Sequence, residues 1–529
     1  LGAEERRKLT GRAGIVALGT LASRVLGLVR DLVIAAAFTR ATTDAFFVAF
    51  TIPNTLRQLL AEGAVQNAAL PVLETVKERH GDNEAKSVFA SLRGLSIVAL
   101  TLVTVLGMVF ADELVELFAT GYHQHEGQFQ RTVTLTRWLF PYIFFMGTAA
   151  LGVAALNLHR RFVVTSFAPG LLNVAFIACS FALPGLLLAR GKDPVLALAI
   201  GALLGGLLQV IAQWPSLRKI GYLTLPKFKF REPYVRETLK RMGPVLVGIG
   251  IYYLDVMLAR RFLSELEVGS QSYFGWALRL CDFPQGIFVM ALQTATLPSL
   301  SRLVARGDRR EVEETFSFAL RLTIFVGLTA SVAAYALAEP LTILIFQRGY
   351  FDSVSSRETA KSLAAQGCGI WMVATVRQLV AVYYAYGDTR APVRVAAIDL
   401  CVFIGLALIL RGPFGHVGVS IAVTGSSFVQ MVLLAIGLRK RLPTLDYRPI
   451  VTSTGKTLFA AMIAGILARI FSNQVTQFQL KGPLGRALPG VCAVIIYGTV
   501  FLAVAYATKN DALLALTTAL RRKRRTTSA

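Results

Sequence analysis

Long uninterrupted apolar runs dominate this chain, and they recur at intervals suited to helices that cross a membrane. A bilayer core takes about 20 apolar residues per helical span, and only helices or closed barrels satisfy their backbone polar groups there. The runs do not alternate, so the pattern predicts helices. A helical window gives fourteen spans, centred near Leu26, Ile52, Leu102, Phe145, Ala175, Leu204, Ile251, Val289, Val326, Thr375, Phe403, Val429, Ile463 and Tyr497. Two of them are interrupted. Pro53, Arg57, Gln58, Glu62 and Gln66 break the second, and Arg279, Asp282 and Pro284 the eighth. That is the pattern of broken or cavity-lining helices. The expected fold is an all-α polytopic membrane protein.

Composition agrees: 54% apolar residues, a mean hydropathy of +0.58 and only 16% charged residues exclude an ordinary soluble enzyme. The net charge of +24 could suggest nucleic acid, but its distribution argues otherwise. Lys and Arg concentrate at the N-terminus (Arg6, Arg7, Lys8, Arg12), at Lys77 to Lys86, Arg160–Arg161, Arg218 to Arg241, Arg302 to Arg310, Arg439 to Arg448 and Arg521 to Arg525. The intervening loops are poor in them. This positive-inside pattern places both termini in the cytoplasm and fits an even number of spans. The basic tail is expected on anionic headgroups. The five cysteines fall in or beside apolar spans without paired spacing, and His123 with His125 reads as a solvated loop rather than a metal site.

The chain also repeats itself. Leu70-Pro71-Val72-Leu73 reappears as Leu297-Pro298-Ser299-Leu300, and Ala111-Asp112-Glu113-Leu114 before Gly121-Tyr122 reappears as Ala338-Glu339-Pro340-Leu341 before Gly349-Tyr350. Ala168-Pro169 matches Ala391-Pro392, and Ile52-Pro53-Asn54 matches Phe283-Pro284-Gln285. Four weak matches in one order imply two homologous six-span halves. The expected organisation is an N-lobe over 1–220, a basic cytoplasmic linker over 221–236, a C-lobe over 237–440, two further helices over 441–508 and a basic tail over 509–529. Six spans per half make the repeat parallel, the plan of transporters that bind substrate between halves and rock one against the other. A monomer suffices for such a cleft.

Four arginines, Arg24, Arg30, Arg57 and Arg279, fall inside these apolar segments. Each costs roughly 2.5–3.5 kcal/mol at a helix centre on insertion scales, so such residues usually face a polar path. Arg24, Gly27 and Asp31 share a face of the first span, with Arg30 turned about 120° away. Local explanations stay open: Arg279 and Asp282 are spaced as an ion pair, Arg30 adjoins Asp31, Asp44 follows Thr42-Thr43 as a cap would, and Gln58 with Glu62 could fasten the broken second helix. As a set, however, the arginines exceed the acids of their spans, and a surplus of intramembrane positive charge asks for an anion.

Guanidinium forks match phosphate and carboxylate, and several around one cleft suit a diphosphate. No P-loop, paired catalytic carboxylates or nucleophile with a base is legible, so the chemistry reads as movement without bond breaking. A diphosphate-linked lipid fits, its head in the cavity and its tail in lipid. A drug or cation antiporter would favour acidic and aromatic linings. A membrane enzyme or a scaffold holding a lipid diphosphate is the reading from another class, and analysis of the lipid product separates it from a carrier.

Ser23-Arg24-Val25-Leu26-Gly27-Leu28-Val29-Arg30-Asp31, Thr43-Asp44-Ala45-Phe46-Phe47-Val48-Ala49-Phe50, Ile52-Pro53-Asn54, Arg57, Ala61-Glu62-Gly63-Ala64 and Leu70-Pro71 together resemble the MurJ (MviN) family of lipid II flippases. That family sits in the multidrug/oligosaccharidyl-lipid/polysaccharide exporter superfamily. Phe140-Pro141-Tyr142, Phe167-Ala168-Pro169, Gly243-Pro244 and Arg279-Leu280-Cys281-Asp282-Phe283-Pro284 fit the same pattern. The resemblance implies a two-lobed carrier of the undecaprenyl-diphosphate-linked peptidoglycan precursor, lipid II, in the bacterial cytoplasmic membrane, able to contact the cell-wall synthesis machinery. It implies that Arg24, Arg30, Arg57 and Arg279 bind substrate and that Asp31, Asp44, Glu62 and Asp282 are functional or gating acids. No organic cofactor is implied; coupling to membrane potential is, and in some members to sodium, for which Asp255 and Asp399, with Thr424, are the candidates here, while either acid could instead be a proton site or pair with Arg260 or Arg394. Phe403 stands where the family often has asparagine, a departure at the sodium site. An exporter of another lipid-linked oligosaccharide is the alternative within the superfamily.

Overall fold

The computed structural model describes residues 3–59, 66–478 and 482–515, and every regular element among them is helical. Glu62 and the basic stretch Arg521 to Arg525 lie outside the described residues. Ten helical stretches among the described residues are long and apolar enough to cross a membrane, which makes the protein multi-pass. The chain divides into two compact units, Leu1–Gln271 and Ser272–Ala529.

The first unit holds α1 (Ala3–Ala37), α2 (Arg40–Arg57), α3 (Gln66–His80), α4 (Asp82–Val109), α5 (Ala111–Ala119), α6 (Gln128–Leu139), α7 (Pro141–Leu158), α8 (Phe162–Ala182), α9 (Pro184–Ala189), α10 (Leu196–Lys219) and α11 (Pro233–Ser264). Lipid is as apolar as leucine, so helices inside a bilayer associate through small residues and interhelical hydrogen bonds rather than through the hydrophobic effect. Both devices are visible. Helix α8 packs against α1 on one side and α10 on the other. A side chain at Gly205 of α10 would lie 2.7 Å from the Leu172 Cα of α8, so only glycine permits that approach. The α1 face of α8 uses hydrogen bonds instead, described below.

The second unit comprises α12 (Ser270–Pro284), which begins just before its boundary, α13 (Met290–Arg306), α14 (Arg309–Ala336), α15 (Ala338–Phe346), α16 (Ser353–Gly367), α17 (Ile370–Ala385), α18 (Arg390–Leu438), α19 (Arg448–Gln477) and α20 (Gly482–Ala507). The interrupted eighth span is α12 and α13 joined by a π-helical turn at Gln285–Val289, directly after Pro284. Proline removes an amide donor, and wide turns of this kind concentrate where a helix lines a functional site. The spans expected near Phe403 and Val429 share α18, which kinks at Gly415, where φ 56° and ψ −135° are open only to glycine. Helix α19 presents the fully buried Ala460, Ala461, Ala464 and Ala468 to a cluster that includes Phe325, Tyr497 and Phe501. The Tyr497 hydroxyl donates to the Thr329 carbonyl at 2.7 Å, closing that seam.

Candidate functional site

The α1–α8 seam brings three of the expected residues to one place. Arg30 donates through Nε and Nη2 to Asp31 Oδ1 at 2.9 and 2.7 Å, and through Nη1 to Asn173 Oδ1 at 3.0 Å. Its guanidinium lies 5.6 Å from the centre of the Phe176 ring. Asn173 sits on α8 and also donates from Nδ2 to the Ser23 carbonyl at 3.1 Å, so one amide ties both ends of the arginine turn of α1. Gly27 lies between them with Asn173 opposite. Arg30 is thus neutralised by its own neighbour. Arg24 is different: it is half-buried, and its Nε is buried without a hydrogen-bond partner among the described residues. A buried cationic donor without an acceptor is costly. An anion reaching this turn meets Arg24 as the available donor.

Helix α2 carries the next two. Thr39 is its N-cap, accepting from the Thr42 amide, which leaves Asp44 for another purpose. The buried Asp44 accepts at Oδ2 from the Gly269 amide at 2.6 Å, a contact between residues 225 positions apart. Around it Gln128 Nε2 donates to the Ala41 carbonyl at 2.7 Å, and Arg260 of α11 lies 5.0 Å from the Phe47 ring centre. Arg260 Nη1 donates to Gln271 Oε1 at 3.1 Å, and Gln271 returns a bond to the Arg260 carbonyl at 2.5 Å. Arg261 adds bonds to the Leu117 carbonyl at 2.8 Å and to Thr120 Oγ1 at 2.5 Å. Together these fasten the C-terminal end of α11 and the loop after it to α2 and α5. The Tyr122 hydroxyl, in the loop before α6, has its pKa pushed well up by burial and then by the charge of Asp44. At the other end of α2, beyond Pro53, Arg57 donates to Asn54 Oδ1 at 3.1 Å.

In the second unit Arg279 is half-buried and Asp282 exposed, and neither is free of contacts. Asp399 on α18 is buried, with Ser426 beside it, and its Oδ1 has no partner among the described residues. The whole side-chain amide of Gln378 and the Thr375 hydroxyl, both on α17, are also buried and unpartnered there. Thr424 donates to the Ala365 carbonyl at 2.9 Å. Asp255 lies on α11 of the first unit, apart from Asp399 and Thr424 in the chain's division. Among the described residues no cluster of three His, Cys, Asp or Glu forms that could hold a metal. Oxygen ligands suit a hard cation better than a soft transition metal.

Sequence reasoning missed Asn173, Gln271 and Gln378. Each is an amide inside or beside an apolar segment, which is the signal that could have found them, since polar residues in spans seek partners.

A family model described as lipid II flippase MurJ matches residues 34–482. The lipid II flippase MurJ of Burkholderia cenocepacia is 34% identical over 497 residues, covering 91% of this chain and 94% of that protein. A probable lipid II flippase MurJ of Vibrio cholerae is 35% identical over 433 residues, covering 80% and 82%. Among solved structures, a lipid II flippase MurJ in an inward closed conformation matches with a TM-score of 0.76 at 21% identity, over 93% of this chain and 98% of that one. An inward-facing multidrug resistance MATE family transporter of the MOP superfamily matches with a TM-score of 0.66 at 14% identity, over 82% and 99%. At these identities the structures speak for the fold alone.

Proposed function

Because the chain belongs to the MurJ family of lipid II flippases, we propose that it carries lipid II across the bacterial cytoplasmic membrane by alternating access, with Arg24 as the primary grip on the diphosphate. It is a transporter rather than an enzyme. The observation that carries the role of Arg24 is its buried, unpartnered Nε beside an Arg30 already held by Asp31 and Asn173. Arg30 then orients the turn, and Arg57 and Arg279 serve the same anion. The outer-end fastening of Asp44 to Gly269 acts as a latch that must open for release.

Both termini lie in the cytoplasm in this reading, supported by the Lys/Arg asymmetry of the loops. The two lobes, 1–220 and 237–440, move about the linker 221–236, with the helices of 441–508 appended; Asp282 gates beside Arg279, and Glu62 is a further functional acid. Asp399, with Thr424 and Asp255, takes up sodium or a proton, and the buried Asp399 Oδ1 without a partner among the described residues favours a cation there. The membrane potential, worth about 2.3 kcal/mol per charge per 100 mV, returns the empty cationic site inward. The carrier works as a monomer that hands lipid II to the cell-wall synthesis machinery.

The test is leaflet-specific labelling of lipid II in cells depleted of their own flippase. The parent chain restores outward appearance of unaltered lipid, whereas Arg24→Glu inserts normally and restores none. Normal flipping by that variant removes Arg24 from the mechanism.

A further inference from the structure

The segment between α10 and α11 has a chemistry that transport does not use. Leu223, Leu225, Phe228 and Phe230 are exposed, Leu225 at 86% and Phe228 at 60%, and they interleave with Lys227, Lys229 and Arg231. From Arg218 to Arg241 the chain carries eight Lys or Arg against two Glu. This segment is neither helical nor loose. It crosses α4 as an extended strap: the Lys227 amide donates to the Ala90 carbonyl at 2.9 Å, Arg93 Nη1 to the Thr224 carbonyl at 2.6 Å, and Lys227 Nζ to Ser87 Oγ at 3.0 Å. Gly94 is required beneath it, because a Cβ there would lie 2.1 Å from the Lys227 carbonyl oxygen.

The crossing point fixes the depth. Arg93 is the last charged residue of α4, and no charge follows on that helix through Val109. The strap therefore lies where the polar end of α4 meets its apolar span, the level of lipid headgroups. Basic residues at that level attract anionic lipid, and aromatic side chains settle at the boundary of headgroups and acyl chains.

We propose that the strap Leu223–Arg231 is an interfacial lipid-binding element: Lys227, Lys229 and Arg231 hold anionic phospholipid headgroups while Phe228 and Phe230 dip into the boundary beneath. In the orientation proposed above this is the inner leaflet. The element fixes the end of the first unit from which α10 and α11 depart, so a moving transporter keeps one part at constant depth. A flat basic surface for a cytoplasmic protein would leave the phenylalanines in water and is the competing outcome.

The experiment uses the full chain in phosphatidylcholine vesicles with and without phosphatidylglycerol. Emission of Phe228→Trp, taken as the difference from the parent protein, is expected to be quenched by lipids brominated near the headgroup and shielded from aqueous acrylamide. In the same vesicles, association of spin-labelled phosphatidylglycerol relative to phosphatidylcholine should fall at least about fivefold in K227Q/K229Q/R231Q, since a single basic residue near the surface already contributes about fivefold in affinity. Gly94→Val displaces the strap without changing its charge, and in the F228W background it should restore acrylamide quenching. Acrylamide access to Trp at 228 with Gly94 intact, or unchanged lipid preference in the triple variant, overturns the proposal. Lipid II flipping measured separately keeps that failure distinct from failure of the transport reading.

Discussion

The buried polar groups of α1 and of the α17–α18 pair have opposite needs. On α1 the acid is satisfied and a cation is left over: Asp31 takes two bonds from Arg30, while Arg24 Nε is buried without an acceptor among the described residues. On α17 and α18 the acid is the group left over, since Asp399 Oδ1 and the Gln378 amide are buried without partners there. An unpaired buried donor is relieved by an anion, and an unpaired buried carboxylate by a cation. These opposite needs match the roles proposed above, an anion at α1 and a cation at α18.

The comparison breaks first at Asp31. Removing it in Asp31→Ala leaves the half-buried Arg30 without its counter-charge though still bonded to Asn173, which costs up to about 3–5 kcal/mol. Denaturant unfolding of the purified protein should show this loss, and an unchanged midpoint would mean that water already serves Arg30. Asn173→Leu comes next. It removes the bond from Arg30 and the bond to Ser23, a loss of about 1.5–3 kcal/mol for the charged hydrogen bond, and flipping should fall about tenfold as the arginine turn loses its register. Asp399→Asn should act in the opposite direction to Asp31→Ala. Replacing by a neutral amide a buried carboxylate whose Oδ1 has no partner among the described residues and whose hydrogen bond comes from Ser426 leaves stability equal or raised by about 1–3 kcal/mol, while any sodium or pH dependence of flipping disappears. Loss of stability in Asp399→Asn would show that its charge has a structural partner.

The smallest effect belongs to Asp388, in the loop before α18. Its carboxylate accepts from the Ala391 and Arg390 amides, each at 3.1 Å, and pairs with Arg441. The Ala391 amide and then Arg441 hold its pKa below the ordinary carboxylate value. Its contribution is therefore complete above the ordinary carboxylate range and fades as pH falls through the lowered pKa. Asp388→Ala should cost about 1 kcal/mol at neutral pH, as a lost helix cap does, with the difference from the parent vanishing in strong acid. A pH-independent difference would assign the effect to packing.

The all-helical membrane fold was legible because span length and apolar run length are set by the same bilayer, and Pro284 marked an interruption in the eighth span, which the structure makes a π turn rather than a break. The arginines stood out for a similar reason, as charge has no business in lipid without a task. Partners were harder to read. Arg30 and Asp31 are sequence neighbours, but the third member, Asn173, lies 143 positions away, and which helix faces α1 depends on packing across the unit. Asp44 looked like a cap and instead reaches Gly269, because Thr39 had already taken the capping position. The strap was visible as a basic linker, yet its attachment at Gly94 was not, since a single glycine in an apolar helix does not announce what crosses it.

The central claim is that Arg24 grips the diphosphate. It is tested most directly by the binding of undecaprenyl diphosphate and undecaprenyl monophosphate to the purified full-length protein and to Arg24→Ala. The parent should prefer the diphosphate, and Arg24→Ala should bind it at least tenfold more weakly, with the preference gone. Equal affinity and an intact preference in Arg24→Ala would contradict it.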